Sequence, residues 1–551
     1  MRKIFFTLSM LGITGMAWSQ STTVLQHVNL IDGTGKALQT DRSITIKNGI
    51  ITRIAAANNE TPKDARIVDL TGKYIMPEII NVHGHLGIMK DTTMSAANYT
   101  PANIKHQLLR YQQFGVGTIL SMGTEQPSIF SLKDSSRAGH IPGATIYSAI
   151  YGFGVKNAIP PASMGMTNVY RPETPEQAIM EVDSVAALKP DMIKIWVDDF
   201  WGAYPKMKPE IYAAIIKEAH LKGLRVAAHL YHLEDARKLV DLGLDIMAHS
   251  IRDAEIDASL IEAMKKHHVI YIATLSLDEF AYSYSQNPDW LNDPVFRASL
   301  EPGVFDMITS PAYQAKIAKD PKTPQEMAAL PVAMRNLYKL WQAGILIGVG
   351  TDSGALPIRP QGFSEHMEME LYVKAGLSPM DAIVAATQNG AKILGISEKQ
   401  GTLQTGKKAD FIVLEANPLD NIKNTRTIES VWKDGEKVSD GPLAGTPYAE
   451  ANNGKIVILA HIKILPGYEA DIKKAAEEVW AATSKEPGNE NFIFNVEKND
   501  PATIVFYEVF HDQQAYDAHR TSEHVGTFRK KLKGKVIGDG PSVTYLSQLH
   551  K

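Results

Sequence analysis

Two histidines two residues apart are the first side chains in this sequence that could do chemistry. They lie in the stretch 81–85, NVHGH. Alternate side chains of a β-strand share one face, so His83 and His85 would point the same way if the stretch is a strand. Two imidazoles at this spacing can chelate one metal ion, although a His-x-His pattern taken alone is more often incidental.

Further groups that can bind a metal lie downstream, each in or directly after an apolar stretch: Lys194, His229, His249 and Asp352. Each has an ordinary structural interpretation. A histidine can fill a core or a rim position, Asp352 can cap a helix, and Lys194 can form a buried salt bridge. A carboxylate or an ammonium group in a buried strand is nevertheless costly unless it is paired or bound to a metal.

The elements that would position these groups form a repeating pattern of strand and helix. The candidate strands are residues 79–85, 116–122, 145–150, 192–197, 225–230, 245–249, 269–275 and 345–351. Eight such units over 250 or more residues predict a TIM (β/α)8 barrel, whose catalytic face lies at the carboxyl ends of its strands. Five of the strands place a metal-binding group on or near that half. We therefore favour one shared functional site over several unrelated buried groups.

The flanks of the predicted barrel have a different character. Short alternating stretches with turn residues occupy residues 20–75 and return at residues 400–440. They predict a small β-domain built from both flanks of the barrel. The barrel itself takes residues 76–399. The connection 276–340 is long and rich in aromatic residues and proline. Connections of this length are usually functional, and this one could form a lid.

A separate unit follows a linker rich in glycine and proline, residues 441–454. Residues 455–551 show the order strand, helix, strand, strand, helix, strand, which predicts a ferredoxin-like α+β domain. The second helix is expected over residues 513–532. His519 and His524 would lie five residues apart on that helix, so they do not form a clean chelating pair. The whole chain is thus predicted to be of the α/β class with an added α+β domain.

Length and composition restrict the class of protein. The chain has 551 residues, of which 44% are hydrophobic and 21% charged, as in a soluble globular protein of more than one domain. The net charge of −4 provides no basic surface field, so nucleic acid is not an expected partner. Cysteine is absent, so any metal ligand must be a histidine, an aspartate, a glutamate or a modified lysine.

The first 19 residues have the features of a signal peptide. Arg2 and Lys3 form a basic start, an apolar stretch follows, and Ala17-Trp18-Ser19 is typical of a cleavage site. The apolar stretch is short for a membrane span, which needs about 20 residues, so we favour cleavage over an uncleaved anchor. The mature chain is expected to be periplasmic or secreted, with no stable membrane span.

Three stretches resemble the amidohydrolase superfamily, most closely its imidazolonepropionase-like and prolidase-like branch. They are residues 76–85, MPEIINVHGH, residues 243–249, GLDIMAH, and residues 401–410, GTLQTGKKAD. The resemblance covers about residues 25–440 and includes the order His-x-His, Lys, His, His, Asp along the strands. Where the family often has glycine and aspartate, this chain has Glu78 and Asn81, neither of which is a ligand in the family pattern.

The resemblance implies two divalent metal ions, usually zinc, and a division of the ligands between them. His83, His85 and Asp352 would hold the more buried ion. His229 and His249 would hold the other, and Lys194 would bridge both as a carbamate, that is, as a carboxylated lysine. Asp352 would also be catalytic, since it would take a proton from a metal-activated water and pass it to the leaving amine.

Three residues are candidates for contact with a small-molecule substrate. Tyr231 and His232 follow a metal ligand on the fifth loop, and His366 lies in Ser364-Glu365-His366. Each has an equally ordinary interpretation, as a loop residue or as a histidine near the start of a helix.

The C-terminal unit resembles the antibiotic biosynthesis monooxygenase domains. The similar features are the order of elements, the stretch 507–510, YEVF, and the spacing of Ala515, His519, Ser522 and His524. That family includes cofactor-free oxygenases, haem degraders and non-catalytic units. Its domains often pair through their sheets, so the resemblance favours an accessory role and a homo-oligomer formed through this domain.

Three hypotheses for function follow. The leading one is a metal-dependent hydrolase of the amide C–N bond in a small substrate such as an N-acyl amino acid, a dipeptide or a cyclic amide. The second places the main activity in the C-terminal domain, as an oxygenase. The third is a metal-binding protein without turnover.

Overall fold

The computed structural model describes residues 22–57, 62–161, 166, 168–444, 455–498, 500–537 and 540–545. The predicted signal peptide and residues 445–454 of the predicted linker lie outside these ranges. Among the helices described, none combines the length and the apolar character that a membrane span requires.

The chain begins with strands that build most of a β-sheet. They are β1 (Thr22–Leu30), β2 (Gln39–Lys47), β3 (Ile50–Ala56), β4 (Arg66–Asp69) and β5 (Tyr74–Pro77). Strands β2 and β3 form a hairpin through Asn48 and Gly49, which both have positive φ, at 51° and 77°. A two-residue turn with two positive φ angles matches the right-handed twist of its strands, and Asn-Gly is the pair that adopts it most readily.

Eight parallel strands and one small hairpin follow. The hairpin is β7 (Met89–Lys90) with β8 (Thr93–Met94), and the parallel strands are β6 (Ile79–Gly84), β9 (Val116–Ser121), β10 (Thr145–Ser148), β11 (Ile193–Trp196), β12 (Val226–His229), β13 (Ile246–Met247), β14 (Ile270–Ile272) and β15 (Ile347–Gly348). They pair in the orders β10-β9-β6 and β11-β12-β13-β14-β15. Parallel bridges between Phe153 and Ile195 and between Gly84 and Ser353 join the two groups. The barrel expected from the sequence is confirmed.

Helices separate most of these strands, and two of them begin with a threonine cap followed by proline, at Thr100 and Thr174. The helices are α1 (Pro101–Gln113), α2 (Ile129–Arg137), α3 (Pro175–Ala187), α4 (Pro209–Leu221), α5 (Leu233–Asp241), α6 (Ala258–Lys266), α7 (Leu275–Tyr282), α8 (Pro294–Ser299), α9 (Val304–Thr309), α10 (Pro311–Lys319), α11 (Thr323–Gln342), α12 (Phe363–Ala375), α13 (Pro379–Val384) and α14 (Gly390–Leu394). The predicted lid segment therefore folds into the run α7 to α11.

The seventh barrel strand is shorter than expected, since residues 273–275 are not part of it. Thr274 has a left-handed backbone, with φ 51°, which ends the strand. The carboxylate of Glu368 then accepts hydrogen bonds from the backbone N–H groups of Leu275 and Ser276, both at 2.7 Å. These bonds satisfy the free donors at the start of α7 and explain why the helix begins there.

After the barrel the chain returns to the first sheet. Strands β16 (Phe411–Leu414), β17 (Ile428–Lys433) and β18 (Glu436–Ser439) extend it to eight strands in the order β18-β17-β16-β5-β1-β2-β3, with β4 paired to β1. Both flanks of the barrel thus form one small β-domain, as the predicted fold class requires.

The C-terminal domain is a four-stranded antiparallel sheet with helices. Its elements are β19 (Ile456–Lys463), α15 (Glu469–Thr483), β20 (Asn489–Glu497), β21 (Asp500–Phe510), α16 (Gln513–Thr521), α17 (Glu523–Leu532) and β22 (Ser542–Tyr545), with strand order β20-β21-β19-β22. This is the expected ferredoxin-like order. The predicted single helix 513–532 is wrong, because Ser522 is extended and its hydroxyl caps α17 at the N–H of Val525.

A buried carboxyl pair joins the β-domain to the barrel. Glu78 follows β5 and Asp410 precedes β16, and both are almost inaccessible to solvent. Thr118 donates a hydrogen bond to Glu78 at 3.1 Å, and Gln400 donates to Asp410 at 3.0 Å. Burial, reinforced by the charge of Asp410, raises the pKa of Glu78 to about 8. Glu78 is therefore mostly protonated at neutral pH.

Replacing Glu78 with glutamine is expected to stabilise the protein at pH 8 and to leave its stability unchanged at pH 4. A carboxyl whose pKa is raised by folding stabilises the fold below its unfolded pKa and loses that contribution as pH rises through the folded pKa. The amide of glutamine is neutral at every pH, so the variant keeps the stability that wild type loses near pH 8. Each kcal/mol of unfolding free energy gained raises the melting temperature by roughly 2 °C. Thermal melting between pH 4 and 8 measures the effect. The exposed Glu436, changed to glutamine, is the control, and equal pH profiles for wild type and Glu78→Gln would contradict the prediction.

Candidate metal centre

The six predicted metal ligands come together at the carboxyl ends of the barrel strands. All are buried, and all line one cavity of about 460 Å³. They are His83 and His85 from β6 and its end, Lys194 from β11, His229 from β12, His249 after β13 and Asp352 after β15. Residues far apart in sequence thus meet because each stands at the same end of a parallel strand.

Close backbone packing brings β6 and the segment after β15 together. The carbonyl of His83 accepts hydrogen bonds from Thr351 N at 2.8 Å and from Asp352 N at 2.9 Å. A side chain on Gly350 would come within 2.6 Å of the Cβ of His83, so only glycine allows this approach. The amide oxygen of Asn81 accepts from His83 N at 2.8 Å, which holds the strand end in place.

Each imidazole is oriented by a bond to one of its nitrogens. Three Nδ1 atoms are bound outside the cluster: that of His83 to Ala248 O at 2.6 Å, that of His85 to Thr124 Oγ1 at 2.9 Å, and that of His249 to Thr274 Oγ1 at 2.8 Å. His229 instead uses Nε2, which lies 3.1 Å from Asp198 Oδ2. The other nitrogen of each ring remains for the cluster, and such bonds fix both the tautomer and the ring plane of a metal-binding histidine.

Asp352 lies at the centre of the cluster. Its Oδ1 is 2.9 Å from Nε2 of His85 and 3.4 Å from Nε2 of His83, and its Oδ2 accepts from Arg359. Although burial opposes ionisation, Arg359 and the two histidines hold the pKa of Asp352 well below its usual range. Burial and the nearby Lys194 lower the pKa of His83 to about 3. The cluster therefore offers an ionised carboxylate and a neutral imidazole, the protonation states that bind metals.

Lys194 is the most unusual member of the cluster. Its side chain is fully buried, and its Nζ makes no hydrogen bond to any residue described. Burial lowers the pKa of Lys194 to about 7, so a large share of the amine is neutral at neutral pH. A buried amine without a partner is costly. Two explanations would account for the burial of this amine. Either it is chemically modified, or it binds a group that is not part of the protein chain.

The donor set fits divalent metal ions. Besides Lys194 Nζ, Nε2 of His83 is buried without a hydrogen bond among the described residues. One nitrogen each from His83 and His85 and one oxygen of Asp352 lie within 4.8 Å of one another. Imidazole nitrogen with carboxylate oxygen suits zinc and its first-row neighbours.

The remaining walls of the cavity include groups that the sequence reasoning missed. Asp198 lies two residues after the end of β11, and Phe200 stacks on the ring of His229 with centroids 5.6 Å apart. Arg252 and Asp278 form a buried ion pair at 2.9 Å. Asp198 follows a buried strand just as Asp352 does, so the same pattern could have marked it.

The three predicted substrate contacts have different positions. Tyr231 lines the cavity, and Arg252 lies 4.7 Å from its ring centre. His232 is not among the cavity-lining residues, and instead it lies 3.0 Å from Asp253. The expectation for His366 needs correction. It is fully buried on α12, and its ring nitrogens bind Thr425 Oγ1 at 2.9 Å and Phe114 O at 3.0 Å, away from the cavity.

Comparison with known families agrees with this geometry. Residues 74–438 match the amidohydrolase family. The chain belongs to this family. Residues 455–531 match the antibiotic biosynthesis monooxygenase family, so the amidohydrolase also carries a domain of that second kind.

Known relatives match this amidohydrolase over different shares of its chain. Ochratoxinase of Aspergillus niger is 27% identical over 260 residues, 45% of each chain, so the chain spans about half the length of the curated relatives it matches. The structure of a putative prolidase from Bifidobacterium longum is 26% identical, with a TM-score of 0.60 over 77% of this chain and 96% of that one. A Xaa-Pro dipeptidase with bound methionine, at 22% identity and a TM-score of 0.59 over 76% of this chain and all of that one, shows the same fold.

Proposed function

We propose that this amidohydrolase is a metal-dependent enzyme that cleaves an amide C–N bond in a small molecule such as an N-acyl amino acid, a dipeptide or a cyclic amide. The observation that carries the proposal is the convergence of six metal-binding groups on one cavity, with the Nε2 of His83 and the Nζ of Lys194 left without hydrogen bonds in the described chain. The names of its relatives, ochratoxinase and prolidase, support hydrolysis as the reaction.

Two zinc ions are the proposed cofactors. In this assignment His83, His85 and Asp352 would hold one ion, His229 and His249 would hold the other, and Lys194, as a carbamate, would supply oxygen ligands to both. Metals bound here would supply a Lewis acid and would lower the pKa of a bound water.

The side chains of the protein have separate tasks in the proposed reaction. Asp352 takes the proton of the attacking water and delivers it to the departing amine, since it is the ionised carboxylate at the centre of the cluster. Arg359 holds one carboxylate oxygen and leaves the other toward His85, so Asp352 keeps one orientation. The threonine and backbone bonds to the imidazoles hold the ligands before substrate arrives.

The walls of the cavity indicate the kind of substrate. Trp196, Trp201 and Leu277 provide apolar surface, and Tyr231 adds a hydroxyl beside them. Arg252, which lies over the ring of Tyr231 and pairs with Asp278, adds a guanidinium group beside them. We propose that the substrate has an apolar or aromatic body and a carboxylate, and that Tyr231 and Arg252 contact it.

Removal of the metals is expected to abolish hydrolysis, and zinc added together with bicarbonate is expected to restore it. The reason is that the water and the carbonyl lose the Lewis acid, which is worth several kcal/mol and thus several factors of ten in rate. The measurement is cleavage of a panel of N-acyl amino acids and dipeptides before and after chelation, with metal content determined in parallel. Hydrolysis that persists without metal would contradict the proposal. So would a fully metal-loaded chain that cleaves nothing in the panel but consumes oxygen.

A further inference from the structure

A second group of metal-binding side chains lies in the C-terminal domain, far along the chain from the barrel site. Glu486, in the turn after α15, stands between two histidines. Its Oε2 lies 2.8 Å from Nδ1 of His519, and its Oε1 lies 2.8 Å from Nε2 of His524. We call these three residues the Glu-His-His cluster. One ligand atom from each lies within 4.8 Å of the other two.

The break between α16 and α17 creates this arrangement. His519 stands on α16 and His524 on α17, because Ser522 between them is extended. In one continuous helix two residues five apart would point in different directions. The break instead brings their ring centres to 6.2 Å from each other, with Glu486 within hydrogen-bond distance of both.

A second carboxyl group, that of Glu508, stands behind His519, and burial raises its pKa to about 8. Glu508 on β21 is 5% exposed, and its Oε2 makes no hydrogen bond to any described residue. That atom lies 3.7 Å from Nε2 of His519, on the opposite side of the ring from Glu486. Metal-binding histidines usually direct their second nitrogen toward a carboxylate, a backbone carbonyl or water, and Glu508 stands where such a partner is needed.

The cluster also adjoins a small cavity. His519 and Glu508 line a cavity of about 70 Å³, whose other walls include Phe492, Phe506 and Phe528. The cavity is too small for an ordinary metabolite, and its aromatic side chains give the inner side of His519 a largely apolar environment. Low polarity strengthens the attraction between a cation and the carboxylate of Glu486.

We propose that Glu486, His519 and His524 bind one divalent first-row transition-metal ion, separate from the metals of the barrel. Two imidazole nitrogens and one carboxylate oxygen are the donors of zinc, cobalt and iron(II) sites, whereas calcium and magnesium prefer oxygen alone. The ion would replace the hydrogen bonds between Glu486 and the two rings, with the proton of each neutral ring on its other nitrogen. The competing interpretation is a plain ion-paired cluster, in which Glu486 only accepts hydrogen bonds from the histidines.

Metal counting on the full-length chain tests the proposal. The chain is loaded with zinc, desalted and analysed for bound metal, as wild type and as Glu486→Gln, His524→Gln and His519→Ala. His461→Gln is the matched control, since that histidine lies in the same domain, is partly exposed and pairs only loosely with Glu497, at 3.6 Å. We expect the three cluster variants to retain one equivalent less than wild type and His461→Gln, or to bind it at least tenfold more weakly. Cobalt(II) should show the matching loss of a visible absorption band.

Two controls keep the result unambiguous. Circular dichroism and thermal melting report whether each variant is folded, and the partly exposed His524→Gln and Glu486→Gln serve if the buried His519→Ala does not fold. Equal metal content and equal zinc affinity in folded cluster variants and in His461→Gln would overturn the proposal. Because the count is made relative to His461→Gln, it does not depend on whether the barrel hydrolyses amides.

Discussion

Replacing Asp352 with asparagine is expected to reduce kcat for amide hydrolysis by about 10²- to 10⁴-fold, the usual contribution of a positioned acid–base group. Asparagine has the same shape, and its amide oxygen can still face His85. It cannot take a proton from water, however, because an amide is not basic. Metal analysis should therefore show bound metal in the variant while turnover is lost, and this combination separates proton transfer from a purely structural role.

A matched control exists on the wall of the same cavity. Asp320 also lines the cavity, but it belongs to none of the groups of residues that could hold a metal ion. Asp320→Asn removes the same charge and is expected to retain most of the wild-type kcat. Equal losses in both variants would indicate a general electrostatic effect of the cavity and would contradict the role assigned to Asp352. Near-normal turnover by Asp352→Asn would contradict it as well.

The ligands could be predicted from sequence because strand geometry determines where they point. The two-residue period of β6 places His83 and His85 on one face, and parallel strands bring His249 and Asp352 to the same end of the barrel. No tertiary information beyond the order of strands and helices is needed for that argument. For the same reason the barrel, the shared β-domain and the ferredoxin-like order were all predictable.

The rest of the cavity depends on packing that sequence periodicity does not describe. Arg252, Asp278 and Arg359 come from loops or from the first turn of a helix, and their meeting depends on how the segment 276–340 folds back over the barrel. His366 illustrates the opposite error. It follows the loop that carries Asp352, yet the direction of α12 turns its ring toward Phe114 and Thr425.

The break at Ser522 is not visible in the sequence, for a local reason. Residues 513–532 have a nearly continuous helical pattern, and a serine inside such a pattern costs little. Serine is also a preferred N-cap, and here it ends one helix and starts the next. The break also creates the Glu-His-His cluster, because only the broken helix brings His519 and His524 to Glu486.

Replacing Lys194 with alanine is expected to lower metal content and to reduce kcat by about 10³-fold, which corresponds to about 4 kcal/mol of barrier. The physical reason lies in the environment of the amine. It is buried, it has no hydrogen bond in the described chain, and burial lowers its pKa to about 7. A neutral amine can react with carbon dioxide, and the resulting carbamate carries the negative oxygens that two metal ions could share. An unmodified ammonium would repel them.

Because the proposed role of Lys194 requires a carbamate, it can be distinguished from a general effect of losing a buried side chain. Wild-type protein freed of metal should regain activity with zinc only when bicarbonate is supplied. Lys194→Ala should not respond to bicarbonate, but a short carboxylate such as acetate or propionate should restore part of its activity by occupying the space of the missing oxygens. Lys322→Ala is the control, because Lys322 lines the same cavity but lies over the ring of Trp201, at 5.0 Å. It should keep its metals and the bicarbonate response of wild type. Reactivation of wild type at full rate without bicarbonate would show that Lys194 acts as a free amine, and the bridging role would then be wrong.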